Sequence, residues 1–420
     1  YSHTQDLWES DISSIQSMGI DAIALDMGSD DWQPDQVASA YAAASALGTD
    51  MKLFISLDFS SVSCDTTTAI SLVSDYLSNS NQFMVDNQPM ISSYSGECLG
   101  GDGWQTIKDS TGGYIMPFIS GIEGEFDSWT ALDSWLCWGC AFPQGDYSAN
   151  TDSDEYYIEQ LGTKYATTVG PWMFTHYSYK NFYHRGDDFL LNLRWEQLFG
   201  MRDNLTFVEM LTWNDYGESS YMGPLNGNQP TDTTWATDYS HTDWADMSKH
   251  YITAFKTGTY PSVDTDVIYY WARPHSKSAI ATEDSLPSPT DGDWAVDYMW
   301  AAIFATADAS VTLTIGDSTQ TFDNVTAGVN TLRIPLATGQ ISVSMTRDGS
   351  TIIDKTDTNF TYTGDTTELY NFNAYVSSAS SGDSSSNASS SSAVAVSATA
   401  VAVSSAAAAS SSASVSISIG

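Results

Sequence analysis

Short apolar runs alternate with longer amphipathic stretches between residues 1 and 261. Runs that are apolar throughout predict strands buried on both faces, whereas apolar residues spaced three or four apart predict helices. The predicted strands are Ile20–Met27, Lys52–Phe59, Pro89–Tyr94, Tyr114–Ser120, Cys137–Phe142, Val169–His176 and Thr206–Thr212. The predicted helices are Gln5–Met18, Pro34–Leu47, Thr66–Leu77, Asp154–Tyr165, Asp188–Phe199 and Asp243–Phe255. This alternation indicates an α/β fold built on a parallel sheet.

The order of these elements favours a (β/α)8 TIM-like barrel over residues 1–261, and such a barrel needs eight parallel strands. No strand precedes the first predicted helix, Gln5–Met18, so we expect the first barrel strand to be missing from this chain. A doubly wound open sheet is the alternative. No glycine-rich phosphate loop follows any predicted strand, which argues against a nucleotide-binding sheet.

The pattern changes after residue 261. Short alternating runs separated by Gly, Asn and Asp predict a β-sandwich over residues 262–376. This domain could be an independent carbohydrate-binding module or a structural buttress of the barrel, and we favour the buttress. Residues 377–420 are almost entirely Ser, Ala and Val, and this composition predicts a disordered, O-glycosylated tail.

Acidic residues greatly outnumber basic ones: the chain has 52 Asp and Glu against 14 Lys and Arg, for a net charge of −38. Nucleic acids and anionic membranes bind proteins through clusters of Lys and Arg, and the sequence has no such cluster. We therefore expect neither as a partner. No apolar run reaches the roughly 18 residues of a membrane span. The composition suits an extracellular protein that binds a neutral ligand, and we expect a monomer.

The cysteines and the glycosylation sequons are also typical of a secreted protein. Cys137 and Cys140 resemble half of a zinc site, but no second C-x-x-C motif lies near them, so zinc is not expected. A small, even number of cysteines fits an oxidising compartment, and we expect the disulfide bonds Cys64–Cys98 and Cys137–Cys140. The N-x-S/T sequons are at Asn204, Asn324, Asn359 and Asn387.

Carboxylates dominate the positions where the chemistry of a barrel is found, at the carboxyl ends of its strands. These positions carry Asp26, Asp58, Glu97, Glu123, Glu125, His176, Asp215 and Glu218. The sequence has no zinc-protease motif, and no Ser-His-Asp or Cys-His set emerges. Hydrolysis of a glycosidic bond needs one carboxylic acid to protonate the leaving oxygen and a second carboxylate to activate water or attack carbon. Sugar hydrolysis is therefore the expected chemistry.

The densest cluster is the segment TWNDYGES, residues 212–219, directly after a predicted strand. Asp215 and Glu218 are three residues apart in a turn that contains glycine, so the backbone can direct both side chains at one point. Carboxylates held this close separate in pKa, which leaves one protonated as an acid. Trp213 and Tyr216 would supply apolar walls and sugar-stacking surfaces. The alternative is an ordinary acidic loop that caps the next helix.

At this segment the sequence resembles glycoside hydrolase family 71, the fungal endo-α-1,3-glucanases known as mutanases. The resemblance rests on TWNDYGES, on IDAIALDMGSDDW and KLFISLDFS, and on the later VIYYWARPH and YNFNAYV. It extends from Leu7 to Val376. It implies a (β/α)8 barrel with a β-sandwich, action on α-1,3-glucan with inversion of configuration, and no metal cofactor.

The resemblance also implies roles for particular residues. The family's paired catalytic acids fall on Asp215 and Glu218, and a third carboxylate is Asp58 or Asp30, of which we prefer Asp58 because it closes a strand. Inversion requires the working carboxyl groups to lie roughly 6.5–9.5 Å apart, a separation that neighbours on one tight turn do not easily reach. Further expected substrate-binding residues are Asp26, Trp172, His176, Tyr177, Trp213, Asn214 and Tyr216.

Two departures from the family pattern accompany the resemblance. Members open with a strand similar to VFAHFMVGN, which this chain lacks, and Asp26 stands where we expect Asn. Three other functions compete with hydrolysis of α-1,3-glucan. They are a non-catalytic glycan-binding wall protein derived from such a hydrolase, a glycosidase acting on another glucan, and an adhesin-like surface protein.

Overall fold

The computed structural model describes residues 3–227, 229–230, 232–382 and 413–419. Two of its helices begin where a side chain accepts a free N–H group: the Thr4 hydroxyl accepts from Leu7, and the Asp65 carboxylate accepts from Thr68. The α-helices are α1 Gln5–Ser17, α2 Gln33–Leu47, α3 Thr66–Ser74, α4 Gly100–Thr111, α5 Asp152–Leu161, α6 Leu190–Met201 and α7 Thr242–Thr257.

The strands fall into two groups along the chain. Up to residue 210 they are β1 Ala22–Met27, β2 Lys52–Asp58, β3 Met84–Val85, β4 Gln88–Tyr94, β5 Tyr114–Phe118, β6 Trp135–Leu136, β7 Tyr165–Val169, β8 Met173–Tyr177, β9 Lys180–His184 and β10 Phe207–Met210. The later strands are β11 Val267–Ala272, β12 Ile280–Ala281, β13 Tyr298–Ala305, β14 Ala309–Ile315, β15 Ser318–Val325, β16 Gly328–Pro335, β17 Gly339–Arg347, β18 Ser350–Tyr362, β19 Thr366–Thr367, β20 Tyr375–Ser380 and β21 Ser414–Ile419.

The main sheet is parallel and strongly curled. Its strands run in the order β5-β4-β2-β1-β21-β10-β7-β6, all parallel, and β3 adds an antiparallel edge to β4. The two ends of this order meet, because the N–H groups of Asp133 and Ser134 before β6 donate to the carbonyl of Ile115 in β5 at 3.0 and 3.1 Å. The fold is therefore mixed α/β with a curled sheet, compatible with a TIM-like barrel.

Strand β21 lies where the sequence predicted a missing strand. It pairs in parallel with β1 on one side and with β10 on the other. Val415, Ile417 and Ile419 are buried in the main hydrophobic cluster, so the alternating sequence SVSISI supplies a strand within a Ser-rich segment. The expected gap in the sheet is therefore filled. The expected absence of structure after residue 376 is wrong for Ser414–Ile419 and for the end of β20, while residues 383–412 lie outside the described part.

Period-two alternation selects which side chains enter the space enclosed by the curled sheet. Ala22 and Ala24 of β1, with Phe207 of β10, belong to the hydrophobic cluster of that interior. Asp26 and Glu209 follow on the same faces of these strands, two positions after Ala24 and Phe207. The interior is thus apolar near the amino ends of the strands and carries carboxyl groups near their carboxyl ends.

Two predicted strands were misplaced. The run Val169–His176 combines the end of β7 with most of β8, while residues 166–168 of β7 were assigned to no element and Tyr165 to the preceding helix. The run Cys137–Phe142 is mostly a 3-10 turn, and the strand is Trp135–Leu136. Both errors arise because these strands are short and buried on both faces, so their sequences carry no alternation.

The later strands form two four-stranded antiparallel sheets, β16-β13-β11-β20 and β15-β14-β17-β18. Apolar side chains from both sheets share one buried cluster, which includes Ile303 of β13 and Leu313 of β14. The opposite face of the first sheet joins the main core, where Trp271 of β11 contacts Trp244 of α7 at a centroid distance of 6.0 Å. These sheets therefore pack against the helices around the main sheet.

The structure describes both cysteine pairs and most of the sequons. Cys64 is bonded to Cys98 and Cys137 to Cys140, as expected. The sequon residues Asn204, Asn324 and Asn359 are exposed, and Asn387 lies outside the described residues. Within the described part, no helix is long and apolar enough to cross a membrane.

We expect Ile417→Ala to lower the free energy of unfolding by about 2–5 kcal/mol, because Ile417 is fully buried and its truncation leaves a cavity. Ile280→Ala is the control, since Ile280 is 69% exposed and its loss should change stability by about 0.5 kcal/mol or less. Urea unfolding measures both. Equal effects of the two substitutions would show that Ser414–Ile419 is not part of the sheet.

Candidate active site

A cavity of about 360 Å³ opens at the carboxyl ends of β1, β10 and β21. It lies where the chemistry of parallel α/β sheets is found. Predicted site residues that form its wall are Asp26, Tyr177, Asn214, Asp215, Tyr216 and Glu218. The wall is completed by His3, Trp8, Leu25, Trp32, Gln33, Gln36, Val37, Tyr179, Lys180, Gly217, Asn226, Pro230 and Ile419. Carboxylates and aromatic side chains thus share one concave surface.

The acidic turn, residues 212–218, is held by hydrogen bonds along its length. The Asp215 N–H donates to the Thr212 hydroxyl, and the Glu218 N–H donates to the Asp215 carboxylate, both at 2.9 Å. Two neighbouring strands also hold the turn. The Trp213 N–H donates to the Ser418 carbonyl in β21, and the Phe174 N–H in β8 donates to the Glu218 carbonyl, both at 2.8 Å. The turn is therefore built between β21 and β8.

Glycine at position 217 allows the turn to approach the hairpin β8–β9 closely. A Cβ atom there would lie 2.9 Å from the Tyr177 hydroxyl and 3.4 Å from Asp215 Oδ1. The Tyr177 hydroxyl is 2.6 Å from the Thr233 hydroxyl, so Tyr177 has little room to move away. A side chain at position 217 would thus displace either Tyr177 or Asp215.

Asp215 is placed to hold a proton near neutral pH. Burial and the neighbouring Glu218 charge raise the pKa of Asp215 to about 7, although Lys180 and the backbone N–H groups of Glu218 and Gly217 act in the opposite direction. A carboxyl group with this pKa can donate a proton in the acid-to-neutral range, as a general acid must.

Glu218 is paired with a cation that the sequence analysis did not single out. The Lys180 ammonium donates to Glu218 Oε1. Burial lowers the pKa of Lys180, but the Glu218 charge and this hydrogen bond outweigh burial, and the pKa of Lys180 is raised. The two carboxyl groups therefore have different surroundings although they share one short turn: Glu218 contacts an ammonium group, and Asp215 accepts a backbone N–H.

Asp26 adds a third carboxyl group to the cavity wall. Burial, followed by the charges of Asp58, Asp215 and Glu218, raises the pKa of Asp26 to about 8. One of its oxygens, Oδ1, is buried without a hydrogen-bond partner in the described structure. A protonated Asp26 can donate and accept hydrogen bonds as an amide does, so below pH 8 it resembles the Asn expected at this position.

Glu209 lies deeper, on β10, and its side chain is 1% exposed. Neither of its carboxyl oxygens has a hydrogen-bond partner among the described residues. Burial, followed by the charge of Asp26, raises the pKa of Glu209 to about 8. The β10 residue directly beside Ser416 of β21 is Glu209, so this carboxyl faces the interior next to the strand that fills the expected gap.

Other predicted site residues lie outside the cavity wall. Asp58 accepts from Ser60 N–H at 2.9 Å and stands close enough to Asp26 to affect its ionisation. Asp30 is exposed in the turn before α2. His176 lies 2.9 Å from Asp284 and 2.8 Å from Asn181, a structural role.

Two predicted sugar-contacting tryptophans belong to the core. Trp172 is fully buried and its indole N–H donates to the Phe372 carbonyl at 2.7 Å. Trp213 is 3% exposed within the main cluster. Large aromatic side chains after a strand are as often core residues as platforms, and sequence spacing does not separate the two.

The arrangement defines a class of protein. Two neighbouring carboxyl groups, one with a pKa raised to about 7 and one paired with a lysine, lie at the carboxyl ends of parallel strands beside aromatic side chains. Such a set forms the site of a glycoside hydrolase. The chain belongs to glycosyl hydrolase family 71, which it matches over residues 1–389.

Named relatives cover nearly the whole chain. The chain is 35% identical over 401 residues to a glucan endo-1,3-alpha-glucosidase of Schizosaccharomyces pombe, covering 90% of this chain and 91% of that protein. It is 32% identical over 391 residues to a mutanase of Penicillium rubens, covering 90% and 85%. An ascus wall endo-1,3-alpha-glucanase of S. pombe is 27% identical over 418 residues, covering 89% and 93%.

Glu209 predicts a pH dependence of stability. Its folded-state pKa is about 8 against an ordinary 4.5, so the folded state keeps a proton that the unfolded state releases. Stability should therefore fall as pH rises from about 4.5 to about 8, by up to about 1.4 kcal/mol per pH unit for this group. Glu209→Gln should flatten that fall in denaturant unfolding followed between these pH values.

The matched control for Glu209→Gln is Glu159→Gln on α5, where the carboxylate is exposed. It removes the same formal charge and should leave the pH dependence of stability unchanged. A Glu209→Gln profile parallel to that of the unsubstituted protein would contradict the buried, unpaired state of this carboxyl group.

Proposed function

We propose that this glycoside hydrolase cleaves α-1,3-glucosidic bonds of α-1,3-glucan, as an endo-acting enzyme that inverts anomeric configuration. The observation that carries the proposal is the Asp215–Glu218–Lys180 cluster in the cavity wall, because it supplies both a proton donor and a carboxylate. The linkage comes from the relatives, which are named for endo-1,3-alpha-glucan hydrolysis or as a mutanase.

The roles of the two acids follow from their surroundings. Asp215 acts as general acid and protonates the leaving glycosidic oxygen, since its raised pKa keeps the proton on it below about pH 7. Glu218, which is paired with the Lys180 ammonium, acts as general base and directs water at the anomeric carbon. The proton that Glu218 takes from water balances the proton that Asp215 gives to the leaving group.

Asp58 is the reserve candidate for the base. An inverting pair leaves room for water between its carboxyl groups, which requires roughly 6.5–9.5 Å. Asp58 closes β2 on the side of the interior that carries Asp26, so it approaches the cavity from a different strand than the acidic turn.

We further propose that the curled sheet is a closed (β/α)8 barrel over residues 1–261 completed by β21. Support comes from the contact of Ile115 with Asp133 and Ser134, which joins β5 to β6. The two antiparallel sheets of residues 262–376 are best described as a β-sandwich that buttresses the barrel. Its support for the active site is the contact of Asp284 with His176 in β8.

The protein is proposed to be extracellular, glycosylated and monomeric. Two disulfide bonds fit an oxidising compartment, and the exposed Asn204, Asn324 and Asn359 are accessible to glycosylation. The net charge of −38 disfavours self-association through like-charge repulsion.

The direct test is incubation with insoluble α-1,3-glucan, with reducing ends and product anomer followed by NMR. The unsubstituted enzyme should release β-anomeric oligosaccharides. Asp215→Asn should lower kcat by about 10²–10⁴-fold, as expected for loss of a general acid, and Glu218→Gln should do the same. Release of α-anomeric products would exclude inversion, and binding without hydrolysis would favour a glycan-binding protein.

The pH profile tests the assignment of acid and base. We expect kcat/KM to fall above about pH 7, where Asp215 loses its proton. Lys180→Met removes a charge that lowers the pKa of Asp215, so the basic limb should move to higher pH while kcat falls at least about tenfold through Glu218.

Lys180→Arg serves as the conservative control, since it keeps the positive charge beside Glu218 and should keep the basic limb near its original position. A Lys180→Met limb that stays in place, or moves to lower pH, would contradict Asp215 as the acid.

A further inference from the structure

Tyr179 is the most exposed of the large aromatic side chains in the described structure. Its side chain is 81% exposed, although it forms part of the cavity wall. It lies at the turn of hairpin β8–β9, between Tyr177 and Lys180. An aromatic ring kept in water at the edge of a catalytic cavity leaves apolar area available for a ligand.

The ring is held in a defined orientation. Tyr179 stacks on Tyr177 with a centroid distance of 5.1 Å and an interplanar angle of 7°. Tyr177 in turn meets the edge of Trp235 at 4.7 Å and contacts the Thr233 hydroxyl. The stack therefore continues from the core to the surface and ends at Tyr179.

The hairpin that carries Tyr179 is anchored at both strands. His176 in β8 contacts Asp284 at 2.9 Å, and the Asn181 amide in β9 donates to the Pro287 carbonyl at 3.0 Å. Lys180 is the next residue and bonds to Glu218. Tyr179 is therefore held near the Glu218 carboxyl group, because the residue next to it on the anchored hairpin contacts that group.

A second exposed aromatic residue lies in the same wall. Trp32 is 36% exposed at the start of α2, next to Gln33, which also lines the cavity. Trp32 comes from the loop after β1, whereas Tyr179 comes from the hairpin after β7. Aromatic rings from two separate loops therefore border the cavity, and the side chains of Gln33 and Gln36 lie in the same wall.

We propose that Tyr179 is a specificity-determining, substrate-stacking residue that holds one glucosyl ring of the glucan chain at the rim of the cavity, with Trp32 contacting a further ring. This inference rests on the proposed function and names a binding subsite within it. A pyranose ring has an apolar face that matches the free face of Tyr179, and hydroxyl groups that match Gln33 and Lys180. The contact binds ground state and transition state alike, so its loss raises KM and leaves kcat nearly unchanged.

The test compares soluble α-1,3-linked gluco-oligosaccharides of increasing length. Tyr179→Ala should raise KM about tenfold, equivalent to about 1.4 kcal/mol, for oligosaccharides long enough to reach the rim. The shortest substrate that is cleaved should show no change, because it does not extend to Tyr179. Tyr179→Trp should retain the KM of the unsubstituted enzyme, since an aromatic face remains.

Tyr156→Ala is the matched control: Tyr156 is 47% exposed on α5 and is not part of the cavity wall. It should leave both kinetic constants unchanged. If the unsubstituted enzyme cleaves the oligosaccharides and Tyr179→Ala has an unaltered KM at every length, the subsite is refuted while the proposed function stands. If the unsubstituted enzyme cleaves none of them, the proposed function fails first.

Discussion

Burial of carboxyl groups, reinforced by their mutual repulsion, governs this active site. Asp26, Asp215 and Glu218 share the wall of one cavity, and Glu209 lies beneath it. In a low-dielectric interior these groups cannot all be ionised at neutral pH, so protons remain on some of them. Lys180, which also lines the cavity, pairs with Glu218 and lowers the pKa that Asp215 would otherwise have. The proposed division between acid and base rests on this ion pair.

The hairpin β8–β9 connects the segment between β12 and β13 to the wall of the cavity. It receives contacts from Asp284 and Pro287 on one side and presents Tyr177, Tyr179 and Lys180 on the other. Under the proposal that the later sheets buttress the barrel, these contacts are the route by which they would hold the geometry of the cavity.

Strand β21 has two separate consequences. Its Val415, Ile417 and Ile419 side chains complete the apolar packing around the sheet, and its Ser418 carbonyl fixes the backbone of Trp213 at the start of the acidic turn. However, its Ser416 offers no partner to the adjacent Glu209 carboxyl. Strand β21 thus provides hydrogen-bond partners for the backbone groups of its neighbours, but it provides none for the buried carboxyl group of Glu209.

The amino-acid sequence by itself determined the α/β class, most strand and helix positions, and the acidic turn with Asp215 and Glu218. These features depend on periodicity and on residues adjacent along the chain, which local physics controls. Only the tertiary structure decided that Lys180 pairs with Glu218, that Trp172 and Trp213 are core residues, that Glu209 lacks a partner, and that a Ser-rich segment supplies a strand. The physical reason is that burial and ionisation depend on which loops and strands meet in space, and sequence spacing does not encode those meetings.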